Sequence, residues 1–85
     1  MKLVFDPNGL EDLRFWIETD RRKALKIVAL IEDVVKTPFA GLGKPEPLRF
    51  ELKGCWSRRI DQEHRLVYKI EKDAAVILAC RNRFE

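Results

Sequence analysis

Residues 56–70, WSRRIDQEHRLVYKI, decide the fold. Trp56–Ile60 and His64–Ile70 alternate in character around the polar Asp61-Gln62-Glu63, the pattern of a β-hairpin. In the second arm His64, Leu66, Tyr68 and Ile70 share one side, while Arg65, Val67 and Lys69 share the other. The first side is read as core. If Arg59 pairs with Arg65 across the hairpin, two guanidinium groups stand side by side on the opposite, open face. Like charges directly opposed are destabilising, so that register favours an anion between them. Spacing equally allows Arg58 in the place of Arg59.

Outward from the hairpin, Lys72-Asp73 turns the chain into a third strand, Ala75 to Cys80. Upstream, Phe39 to Pro47 (FAGLGKPEP) is loop by its two Gly and two Pro residues. Before it the period is helical. Ala24, Ile27, Val28, Ile31, Val34 and Val35 form one stripe after a cap at Thr19 or Asp20, and Thr37-Pro38 ends it. A first helix starts at Asp6-Pro7, an N-cap and N1 pair, with Leu10, Leu13, Trp16 and Ile17 as its apolar face. Gly9 weakens its first turn. Met1 to Phe5 reads as a short strand. The order strand, helix, helix, antiparallel strands is an α+β layout, with a two-helix hairpin packed on one face of a largely antiparallel β-sheet. Strands are expected near 55–60, 64–71 and 75–80.

Eighty-five residues, 46% hydrophobic and 36% charged, fit a single globular domain, 1–85, and not a disordered tail. No run approaches the roughly 20 apolar residues that span a bilayer, and the first residues do not read as a signal peptide. Cys55 and Cys80 lack CxxC spacing and a nearby His, so neither a metal nor another cofactor is expected, and a cytoplasmic location fits. The net charge of +3 is unevenly placed. Residues 1–43 hold seven basic and seven acidic side chains, whereas residues 44–85 hold ten and seven. A surplus confined to one region makes a local field for phosphate.

Arg59 and Arg65 suit a bidentate phosphate contact, with Lys44, Arg49, Arg81 and Arg83 extending the field along an RNA strand. Glu46 stands between two prolines that restrict its backbone. A carboxylate near several arginines stays ionised and can act as a general base. His64, the sole histidine, falls on the face opposite Arg65 and reads as structural, as do Trp56 and Tyr68.

Three runs, Lys44-Pro45-Glu46-Pro47-Leu48, Gly54-Cys55-Trp56-Ser57-Arg58-Arg59-Ile60 and Glu63-His64-Arg65-Leu66-Val67-Tyr68, resemble the YoeB toxins of the RelE/ParE superfamily (Txe/YoeB branch). The likeness runs end to end, through Glu18-Thr19-Asp20, Thr37-Pro38-Phe39 and Ala79-Cys80-Arg81. It implies a RelE-like fold and the toxin of a type II toxin–antitoxin system. It also implies a metal-free, ribosome-dependent mRNA endonuclease, in which the ribose 2′-OH attacks the adjacent phosphate. On the resemblance Glu46 matches the general base and Arg65 the arginine that stabilises the phosphorane. Arg59 matches a supporting phosphate contact, and Arg49 a basic RNA contact. The implied partners are a YefM-like antitoxin, the ribosome with its mRNA, and a second copy of the chain in a homodimer.

The C-terminus departs from the pattern. YoeB toxins usually end Cys-Arg-Tyr-His-Tyr, with the histidine as general acid and the last tyrosine orienting substrate. Here Cys80-Arg81-Asn82-Arg83-Phe84-Glu85 puts Arg83 at the histidine position and Phe84 at the tyrosine position. Arginine cannot usefully donate a proton near neutrality, although it can neutralise charge on a leaving oxygen. Two functional classes follow: a weakened mRNA interferase, or a catalytically weak homologue that serves as an antitoxin-binding co-repressor. A gyrase-poisoning ParE-type activity is more distant, because it has no use for a nuclease base.

Overall fold

In the computed structural model, which describes residues 1–81, a five-stranded sheet carries two helices. The elements are β1 (Lys2–Phe5), α1 (Pro7–Thr19), α2 (Arg21–Lys36), β2 (Glu46–Pro47), β3 (Cys55–Arg59), β4 (Arg65–Glu71) and β5 (Ala74–Ala79). The sheet order is β1-β5-β4-β3-β2; β1 runs parallel to β5 and every other pair is antiparallel. The α+β layout and the hairpin therefore stand as expected. The register is the one with Arg59 opposite Arg65. The first strand, whose place was open, lies at the sheet edge beside β5.

Both helices begin on aspartate caps. Asp6 accepts the Asn8 N–H at 3.0 Å ahead of Pro7, and Asp20 accepts the Lys23 N–H at 3.2 Å. Along α2 the buried stripe is Ala24, Ile27, Leu30, Ile31 and Val34, so Leu30 replaces the expected Val28, which is 39% exposed, and Val35 is half-buried. These side chains meet Leu66, Tyr68, Ala75 and Ile77 of the sheet in the core.

The apolar face read for α1 needs correction. Leu10 and Ile17 are exposed; Trp16 is buried and Leu13 packs against the core as expected, and Gly9 and Asp12 are buried with them. A contact between main chains decides this orientation. A Cβ on Gly9 would lie 2.5 Å from the Ile77 carbonyl oxygen, so the helix lies against β5 where only glycine fits. One turn on, the Asp12 carboxylate accepts the Cys80 N–H at 3.0 Å, and the Trp16 indole donates to the Cys80 carbonyl at 2.8 Å. Two side chains thus satisfy both polar groups of one buried backbone residue just past β5. A register slip accompanies this. Tyr68 pairs with Ile77 and Val67 with Ala79, which leaves Leu78 over as a bulge.

Candidate active site

Arg58 and Arg59 leave β3 on opposite faces. Arg58 points toward the helices and is fully buried. Its guanidinium donates to the Asp33 carboxylate and to the carbonyls of Leu42 (3.1 Å), Thr37 (2.6 Å) and Ala40 (2.9 Å); Nε reaches the Tyr68 hydroxyl at 3.2 Å. That hydroxyl in turn donates to the Pro38 carbonyl at 2.6 Å. The Leu42 N–H and then the Arg58 guanidinium hold the Asp33 carboxyl below its ordinary range. Gly41 fits this knot because a Cβ there would meet Asp33 Oδ2, and its φ of 116° suits glycine. The loop after α2 is therefore clamped, and the Arg59 N–H bond to the Gly43 carbonyl (2.7 Å) lays it along β3.

The clamp delivers Glu46. The segment expected to be loop up to Pro47 ends as the two-residue edge strand β2, with Glu46 opposite Ser57 and Pro47 opposite Trp56. A proline is tolerated there because an edge strand can leave one side of its backbone unpaired. Side chains directly opposed across a sheet share a face, so Glu46, Ser57 and Val67 form one row and Arg59 and Arg65 the next. Arg65 reaches across to Glu46, Nη1 to Oε1 at 2.9 Å, with Glu46 about half exposed. An anion was expected between the two arginines, and the chain's own Glu46 carboxylate supplies one to Arg65.

Of the other residues singled out, Lys44 has a left-handed φ of 52° and lines a cleft of about 360 Å³ with Lys26, Leu42 and Arg59. Arg49 is exposed early in the β2–β3 connection, next to Phe50, which is 90% exposed. Arg81 is seated elsewhere: its guanidinium stacks on the Phe15 ring of α1, 3.6 Å from the centroid. Arg83 and Phe84 lie outside the described residues. His64 packs edge-on against Trp16 at 4.8 Å, which agrees with a structural role. Sequence reasoning passed over Ser57, which is buried in the middle of the Glu46 row. Its only signal was strand alternation with Arg59, and that points at Glu46 only once β2 is known.

Among the described residues no cluster of His, Cys, Asp or Glu could hold a metal ion, and no helix is long and apolar enough to cross a membrane. The family model for the YoeB-like toxin of bacterial type II toxin–antitoxin systems matches residues 5–84. The chain belongs to this YoeB-like toxin family. Toxin YoeB of Escherichia coli (strain K12) is 50% identical to it over 84 residues, 99% of this chain and 100% of that toxin. Among solved structures, the YoeB/ParE toxin from Agrobacterium tumefaciens superposes on this YoeB-like chain with a TM-score of 0.94 at 45% identity, covering 99% and 100% of the two chains. The YoeB of a YoeB–YefM complex from Staphylococcus aureus does so with a TM-score of 0.89 at 32% identity, covering 99% and 98%. The YoeB of that organism has also been solved as a dimer.

Proposed function

We propose that this YoeB-like toxin, as one domain spanning residues 1–85, is a metal-independent endoribonuclease that cuts mRNA on the ribosome and blocks translation. The observation that carries the reading is the Glu46–Arg65 contact on an exposed face beside Arg59. A base and a phosphate-binding cation lie in hydrogen-bond reach, and an incoming phosphate replaces the carboxylate at Arg65. Glu46 then takes the proton of the ribose 2′-OH, and the 2′-oxygen forms a bond to the adjacent phosphorus. The P–O5′ bond breaks, leaving a 2′,3′-cyclic phosphate and a 5′-oxygen that is protonated by water. Arg65, supported by Arg59, stabilises the charge of the phosphorane, and Arg83 offsets charge on the leaving oxygen. Lys44 and Arg49 draw the RNA backbone, and the Phe84 ring offers a base a stacking surface.

The family resemblance supports a cytoplasmic toxin with three partners: the mRNA-loaded ribosome, a YefM-like antitoxin and a second copy of itself. Relatives solved with YefM and as a dimer support the last two. Arg83 in place of a titrating acid favours slow cleavage, and in the limit a co-repressor that only binds antitoxin. Primer extension on translating ribosomes tests the reading. The chain as it stands should cut, and Glu46→Ala and Arg65→Ala should each lose at least about 100-fold. Unchanged cleavage in those variants overturns the site. If the unmodified chain and Arg83→His both leave mRNA intact, the binding-module reading holds instead.

A further inference from the structure

Ser57 is fully buried in β3, and its hydroxyl has no hydrogen-bond partner among the described residues. Buried hydroxyls are nearly always paired, so an orphan inside a candidate site calls for a cause. Its place supplies one. Across β2–β3 it faces Glu46, across β3–β4 it faces Val67, and its next neighbour on the same face of β3 is Arg59. Arg65 stands opposite Arg59, so the Arg65–Glu46 ion pair crosses β3 diagonally over the Ser57–Arg59 segment. The hydroxyl therefore lies beside an ion pair that makes no use of it.

That pair has to open during the reaction described above. Arg65 turns to the phosphate, and Glu46 loses the contact that orients it. A glutamate has three rotatable bonds, and this one projects from an edge strand only two residues long. Facing side chains on neighbouring strands have Cβ atoms about 4.5–5.5 Å apart, within reach of a serine hydroxyl and a glutamate carboxylate. We propose that Ser57 is a positioning residue for the base. Once phosphate occupies Arg65, the Ser57 hydroxyl donates to one carboxylate oxygen of Glu46 and leaves the other aimed at the ribose 2′-OH. In the free chain the hydroxyl has no partner among the described residues because Glu46 is held by Arg65. Preorganisation of this kind acts on the chemical step and not on RNA affinity.

The inference rests on Glu46 as the base, and the experiment separates the two. Single-turnover cleavage of mRNA on ribosomes is measured against toxin concentration for the unmodified chain, Ser57→Ala and Glu46→Ala, with a thermal melt of each. Ser57→Ala removes a hydroxyl that has no partner among the described residues, so its melting temperature should equal or exceed that of the parent. Its maximal rate should fall about tenfold, while the toxin concentration for half-maximal rate stays within twofold. A maximal rate within twofold of the parent, or a loss confined to half-saturation, overturns the proposal while Glu46→Ala is inactive. If Glu46→Ala still cuts at the parent rate, the base assignment fails and the role of Ser57 fails with it.

Discussion

Arg58 and Arg59 are adjacent and chemically identical, yet a strand sends them to opposite faces and so to different tasks. Arg58 satisfies a carboxylate and three carbonyls inside the fold. Removing one partner of a buried ion pair typically costs about 3–5 kcal/mol. Arg58→Leu should therefore lower the unfolding free energy in urea by about 3 kcal/mol or more. Exposed Arg59 changed to leucine should shift it by less than about 0.5 kcal/mol while slowing cleavage. Equal effects on stability would contradict the assignment of faces. Arg83 makes a second test at this scale. A histidine there restores a proton donor, so Arg83→His should raise cleavage by about tenfold or more. The gain should fade as pH rises above about 6.5, where histidine loses its proton. A gain independent of pH would show that the new side chain acts by shape alone.

The elements differ in how much of them sequence reveals. The β3–β4 hairpin was legible because alternation extends over two strands of five and seven residues with a polar turn between. The facing of α1 was not, because a glycine and two hydrogen bonds to Cys80 orient it, and periodicity counts neither. β2 was hidden because Pro-Glu-Pro composition reads as loop, and long-range bonds from Arg58, the Arg59 N–H and the Leu48 N–H lay the segment along β3. With it went the pairing of Glu46 and Ser57. The hairpin turn also has a pH signature. Burial pushes the Asp61 carboxyl up, but the Lys23 ammonium and the N–H groups of His64 and Glu63 outweigh it and hold the group at about 2. A depressed carboxyl stabilises the fold above its unfolded value, near 3.8, and that contribution is lost as pH falls toward 2. With solvent screening it is on the order of 1 kcal/mol. Asp61→Asn should melt below the parent at pH 6, and the part of the gap due to charge should close between pH 4 and 2. A gap constant over that range would assign the whole effect to hydrogen bonding.

For the molecule as a whole, the surplus of positive charge in residues 44–85 and the Glu46–Arg65 contact bear on the antitoxin together. In the free chain the site already holds a carboxylate, so an acidic antitoxin segment should be able to replace Glu46 at Arg65 and keep phosphate out. A partner that binds only the folded toxin adds about 2.7 kcal/mol of stability at a hundredfold excess over its Kd. In a chain of this size each kcal/mol moves the melting temperature by about 4–8 °C. A YefM-like antitoxin should therefore raise the melting temperature by about 10–20 °C. Because charged groups carry part of that binding, raising salt from 0.05 to 0.5 M should shrink the rise at a fixed antitoxin concentration. Arg65→Ala should shrink it as well, since it removes the cation that the segment seeks. Arg81→Ala should do less if that guanidinium keeps to the Phe15 ring, where the antitoxin need not reach it. A rise that withstands both salt and Arg65→Ala would mean that the antitoxin grips another surface and leaves this face open.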